Sequence, residues 1–105
     1  MAIIQASDSD FNTVLSQNEK VIVKYYADWC GNCRLFSPKF KRMADKEEFK
    51  DVAFVDVNAE VSPEARKTGG VTNLPFFAIF KNGTLVDTVA ASKEEAVVNL
   101  INKLN

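Results

Sequence analysis

Two cysteines three residues apart, in Cys30-Gly31-Asn32-Cys33, are the side chains in this sequence best placed to do chemistry. They follow Val21 to Ala27 (VIVKYYA), a β-branched and aromatic run of the kind that forms a strand covered on both faces. After them the spacing of Leu35, Phe36, Phe40, Met43 and Ala44 turns helical. Cys30 therefore falls at a helix N-terminus, where unpaired backbone N–H groups and the helix dipole favour a thiolate. Cys33 lies one turn on, within disulfide reach. Thiol–disulfide exchange needs both features, an exposed thiolate that attacks a disulfide and a second thiol that resolves the mixed disulfide. The bare spacing would also suit half a zinc knuckle or two inert buried thiols. One chain supplies only two thiols and no imidazole, so a four-ligand zinc site would require a dimer.

The absence of histidine removes every mechanism that uses imidazole as acid or base, including Ser-His-Asp and Cys-His arrangements. The 105 residues carry 13 Lys+Arg against 14 Asp+Glu, a net charge of -1, with the basic residues scattered, which argues against a phosphate-tracking surface. With 47% apolar residues the sequence predicts one compact domain, residues 1–105, whose core needs no disulfide or metal staple. No stretch approaches the ~20 apolar residues of a membrane helix, and the start MAIIQASDSD lacks a signal-peptide pattern. A soluble, cytoplasmic protein is expected.

The elements that position the cysteines alternate along the chain. Ala2 to Gln5 is a short strand candidate, and Ser7-Asp8-Ser9-Asp10 offers cap oxygens to a helix carrying Phe11, Val14 and Leu15. Pro38 lies inside the helix after the cysteines and is expected to bend it or mark its first turns. Ala53 to Val57 forms a second buried strand. A short helix follows, with Ser62 as cap, Pro63 at its first position and Gly69-Gly70 at its end. Phe76 to Phe80 and Leu85 to Val89 flank Asn82-Gly83, a strong hairpin signal. Ser92 and Glu95 stand in capping-box spacing before a helix with Val97, Leu100, Ile101 and Leu104 on one face. The order β-α-β-α-β-α-β-β-α predicts an α/β fold, a parallel sheet with an antiparallel hairpin at one side and helices on both faces. The charged tract Lys39 to Lys50 reads as a solvated helix face.

Over essentially its whole length the chain resembles the thioredoxin family. The motifs are Ala27-Asp28-Trp29-Cys30-Gly31-Asn32-Cys33, Pro38 five residues after the second cysteine, Leu74-Pro75-Phe76, and Phe80-Lys81-Asn82-Gly83. The resemblance implies a thioredoxin fold, a mixed sheet of about five strands with four helices. It also implies that Cys30 is the nucleophile, Cys33 the resolving thiol and Pro75 a cis-proline facing the disulfide. The backbone at Leu74 would pair with an extended substrate segment, and Trp29 and Phe76 would help wall the groove. Disulfide-containing proteins are the implied substrates, and an NADPH-dependent flavoprotein, thioredoxin reductase, the implied partner. No bound cofactor is expected, and a monomer is.

Three positions depart from the family pattern. Gly31-Asn32 replaces the usual Gly-Pro, which restores an N–H and a polar side chain near Cys30. Extra donors should stabilise the Cys30 thiolate and make the protein a weaker reductant than its Asn32→Pro variant, which the two potentials would test. Lys24 interrupts one buried strand and Asp56 its expected neighbour, a pair reversed in sign from the family's usual Asp and Lys. Unpaired, either buried charge would be costly. An ion pair beneath the active site is expected, with Asp56, or a water held by the pair, accepting the Cys33 proton. The alternative is a snorkelling Lys24 and an exposed Asp56. Ala90 stands where the family usually places a glycine beside the cis-proline. Tyr25 and Tyr26 read as packing residues. The alternatives to a general disulfide reductant are a more oxidising or isomerase-like relative, and a binding or scaffold subunit that keeps the fold without turnover.

Overall fold

The computed structural model describes residues 3–105, and within them five strands form one mixed sheet in the order β1-β3-β2-β4-β5. Strands β1 (Ile4–Ala6), β2 (Lys20–Tyr26) and β3 (Val52–Asn58) run parallel, while β4 (Phe76–Lys81) and β5 (Thr84–Ala90) are antiparallel. Helices α1 (Phe11–Gln17), α2 (Gly31–Ala44), α3 (Pro63–Gly69) and α4 (Glu94–Ile101) complete the thioredoxin fold. The first strand begins later than its sequence pattern predicts, and Ala2 lies outside the described residues.

Because successive strand residues point to opposite faces, β2 divides its side chains between two cores. Val21, Val23 and Tyr25 pack with Phe11, Val14 and Leu15 of α1 and Ala65 of α3. Ile22 packs on the other face with Phe36, Phe40 and Met43 of α2 and Val97, Leu100 and Ile101 of α4. The continuous apolar runs seen in the sequence are therefore strands covered on both sides. Lys24 lies on the second face and is 1% exposed.

The hairpin forms as its residues require. Asn82 at φ 53° and Gly83 at φ 80° supply the two left-handed positions of a tight turn, which any β-branched residue would resist. Pro38 sits in the interior of α2, which continues past it to Ala44.

Three helix starts differ from their sequence signals. The Asp10 carboxylate caps nothing in α1 and accepts the Ser7 N–H instead, at 2.8 Å. Ser62 makes no capping bond to α3, and its buried hydroxyl has no hydrogen-bond partner among the described residues. Asp8 takes its place from the loop before α1, accepting the backbone N–H groups of Glu64 and Ala65 at 3.1 and 2.9 Å. A carboxylate at a helix N-terminus meets both the unpaired donors and the dipole, so this long-range cap outdoes the local one. The expected capping box of α4 is also absent. Lys93 occupies the cap position without a side-chain bond, and Glu94 and Glu95 supply negative charge to the first turn.

Candidate active site

The loop from β2 to α2 is short and internally bonded, so it holds the cysteines at the C-terminal end of the central strand. The Cys30 N–H donates to the Ala27 carbonyl at 3.1 Å, and the Arg34 guanidinium donates to the Asp28 carbonyl. Cys30 is the N-cap of α2, in extended backbone, and its sulfur accepts the Cys33 N–H at 3.2 Å. Cys30 and Cys33 form a disulfide with Cα atoms 5.3 Å apart, packed against Ala27, Tyr26 and Leu74. Cys30 is 6% exposed and Cys33 2%, so the first cysteine is the less buried of the two.

Other sequence-nominated residues converge here. The Leu74–Pro75 peptide bond is cis, and Pro75 is buried. An open cavity of about 170 Å³ runs from Asn32 past Leu74 and Pro75 to Ala90 and Ser92. Ala90 stands opposite Phe76 in the β4–β5 register, which brings it beside the proline. A Cβ placed on Gly31 would meet nothing within 4 Å, so no neighbour in the chain demands glycine there. Trp29 is 67% exposed on the same loop. Phe76 is not available as a wall: its ring is buried in the α1/α3 core against Tyr25, at a centroid distance of 6.3 Å. Its position as the first residue of β4 turns it inward, and the strand alternation decides which face it joins.

Lys24 and Asp56 are register partners on β2 and β3, with Lys24 Nζ 3.5 Å from Asp56 Oδ1. That separation makes an ion pair without a hydrogen bond, and the closer contact of Nζ is with Ser37 Oγ at 2.6 Å. The Ser37 hydroxyl in turn reaches the Cys33 carbonyl at 3.1 Å. Burial pulls the Lys24 ammonium below its usual range and pushes the Asp56 carboxyl above its own, each shift partly offset by the partner's charge. Lys24 does not snorkel, and Asp56 keeps 19% of its side chain exposed.

Sequence reasoning did not single out Ser37. The available signal was its position four residues after Cys33 on a helix, which places both on one face one turn apart. Among the described residues, no group of three or more Cys, Asp or Glu side chains stands close enough together to hold a metal ion.

A redox-active cysteine pair at the first turn of a helix, flanked by a cis-proline at the edge of an open groove, defines a thiol–disulfide oxidoreductase. The family model described as Thioredoxin matches residues 2–103. Thioredoxin 1 of Plasmodium falciparum is 32% identical over 103 residues, covering 98% of this chain and 97% of that protein. Thioredoxin H2 of Arabidopsis thaliana is 33% identical over 94 residues, 90% of this chain and 69% of that one. A solved Plasmodium falciparum thioredoxin superposes with a TM-score of 0.87 at 30% identity, covering 96% of this chain and 98% of that one. The chain belongs to the thioredoxin family, and its chemistry is the reduction of disulfides by dithiol exchange.

Proposed function

We propose that Cys30 is the attacking thiolate and Cys33 the resolving thiol of a general protein-disulfide reductant. One observation carries the assignment: the Cys33 N–H, one of the unpaired donors at the start of α2, points at the Cys30 sulfur from 3.2 Å. In the reduced protein that donor and the helix dipole stabilise negative charge on Cys30. The Cys30 thiolate attacks one sulfur of a substrate disulfide, and the other substrate sulfur leaves as a thiolate that takes up a proton. Cys33 gives its proton to Asp56, directly or through a water held by the Lys24–Asp56 pair. It then attacks the Cys30 sulfur, closing the Cys30–Cys33 bond and releasing the second substrate thiolate. Two electrons have passed to the substrate, and an electron donor must return them.

The substrate segment lies along the groove at Leu74, Pro75 and Ala90, with Trp29 at the rim and Asn32 at the helix start. The bare backbone at Gly31 leaves room for it. The donor is an NADPH-dependent flavoprotein thioredoxin reductase, and the protein works as a monomeric electron carrier in the cytoplasm. Resemblance to thioredoxins over nearly the whole chain supports this role. No helix among the described residues is long and apolar enough to cross a membrane.

The test is reduction of a protein disulfide with dithiothreitol and, separately, with NADPH and thioredoxin reductase. Turnover in both arms is expected, and loss of both in Cys30→Ser. Turnover with the chemical reductant alone would refute the proposed electron donor, and no turnover in either arm would leave a scaffold that keeps the fold.

A further inference from the structure

Ser37 sits in α2 one turn beyond Cys33 and has no part in the roles assigned so far. A lysine ammonium has three N–H donors and no acceptor, so the 2.6 Å contact fixes the direction of its hydrogen bond: Nζ donates and Ser37 Oγ accepts. The single hydroxyl proton of Ser37 then goes to the Cys33 carbonyl, 3.1 Å away. The ammonium is thus held more closely by Ser37 than by Asp56, whose Oδ1 is 3.5 Å away and without a hydrogen-bond partner among the described residues. The rest of its surroundings are ring faces, with Phe40 at 5.3 Å and Tyr26 at 5.8 Å from Nζ to the ring centres.

We propose that Ser37 is a positioning residue for disulfide exchange: it seats the Lys24 ammonium against α2 one turn beyond Cys33, where the positive charge stabilises the Cys33 thiolate. The proposal rests on the assignment of Cys33 as the resolving thiol. In the mixed disulfide, Cys33 loses its proton to Asp56 and attacks the Cys30 sulfur. The Cys30–Cys33 bond forms as the bond from Cys30 to the substrate sulfur breaks, and that sulfur leaves with the electron pair and takes a proton from solvent. No further oxidant or reductant enters the step. The ammonium is joined through the Ser37 hydroxyl to the Cys33 carbonyl, and its field is strongest where water is excluded; Lys24 is 1% exposed. The titratable groups against it are Asp56 from β3 and Tyr26 from β2, and α2 meets it through Ser37 and the Phe40 ring. The strand on its other side, β4, places Phe77 opposite it.

The geometry separates two jobs that one base could do alone. Asp56 takes the proton, and the Ser37-held ammonium keeps the resulting thiolate in place beside it. Removing the hydroxyl leaves Lys24 with its charge but without its nearest acceptor, so the ammonium retreats toward Asp56 and Cys33 ionises less readily.

The test follows single-turnover resolution against pH, with a peptide carrying one intermolecular disulfide as substrate, in the native protein, Ser37→Ala and Ser37→Thr. The Ser37 side chain is exposed enough for alanine to be tolerated. Ser37→Ala should raise the pH midpoint of resolution by about one unit. Below that midpoint resolution should slow about threefold, because a tenfold loss of thiolate is partly returned by its greater nucleophilicity. Ser37→Thr should restore the native midpoint, and the rate of the first attack should be the same with and without Ser37→Ala in a Cys33→Ser background. A native midpoint in Ser37→Ala, or a midpoint that threonine does not restore, overturns the proposal. If Cys33→Ser fails to trap a mixed disulfide on Cys30, the resolving assignment itself falls and takes this role with it. If trapping succeeds while the Ser37→Ala midpoint stays native, only the role of Ser37 is lost.

Discussion

Lys24 and Tyr25 are neighbours on the central strand, both buried, and they face opposite sides of the sheet. Tyr25 is a neutral group with one proton to place, and its hydroxyl donates to the Ala65 carbonyl at 2.8 Å. Its ring lies so close to α3 that a Cβ on Gly69 would come within 2.5 Å of the hydroxyl oxygen. On the other side Lys24 brings a full charge, one counter-ion at 3.5 Å and one hydroxyl at 2.6 Å. The α1/α3 face is built as apolar packing into which Tyr25 brings one hydroxyl with a partner. The α2/α4 face accepts a costly charge linked through Ser37 to the Cys33 carbonyl, from where a charge can act on the chemistry of the cysteines.

The sharpest way to break the contrast is to remove one charge and leave the other. Lys24→Met strands Asp56 with no cation in a site still mostly buried, and should cost about 3 kcal/mol in urea unfolding. The double variant Lys24→Met/Asp56→Leu should recover most of that stability, since a buried pair replaced by apolar groups is often neutral, while resolution of the mixed disulfide slows. If the double variant kept native resolution, the pair would be structural only. On the opposite face the largest effect comes from bulk. Gly69→Ala sets a methyl against the Tyr25 ring, which is buried and bonded and has nowhere to go, so a loss of about 2 kcal/mol is expected with disulfide exchange unchanged. Thermal unfolding alongside a turnover assay checks both halves.

The fold was legible because its strands are apolar runs and its turns carry specific chemistry, as Asn82-Gly83 and Pro63 do. The cysteine pair was legible from its residue types, spacing and place between a strand and a helix, whereas the role of Leu74-Pro75 came from the resemblance to the family. The Lys24–Asp56 pair could be seen too, since a charge inside an apolar strand demands a partner on the adjoining one. What the sequence did not disclose depends on distance in the fold. Asp8 caps a helix that begins 55 residues later, and a local rule assigned that job to Ser62. The resemblance to the family placed Phe76 at the groove wall, yet the strand alternation turns its ring into the core. Ser37 was not singled out, because its contact with Lys24 depends on how far that side chain reaches across from β2.

The gentlest perturbation compares the two buried neighbours by their titration. Tyr25→Phe keeps the ring and removes the hydroxyl, leaving the Ala65 carbonyl without its partner, and should cost about 1 kcal/mol near neutral pH with exchange unaffected. Burial pushes the Tyr25 phenol above its usual value of about 10, so the folded protein keeps a proton that the unfolded chain gives up. Stability from this group is therefore full below pH 10 and declines as pH rises beyond it. Lys24 is shifted the other way: the unfolded chain holds its proton longer than the folded one, so its penalty fades as pH climbs toward the usual lysine range. The gap in unfolding free energy between the native protein and Tyr25→Phe should narrow from pH 9 to pH 11, whereas the gap between the native protein and Lys24→Met/Asp56→Leu should move in favour of the native protein over the same interval. Parallel curves for both variants would mean that neither group titrates with folding, and the contrast between the two faces would reduce to packing alone.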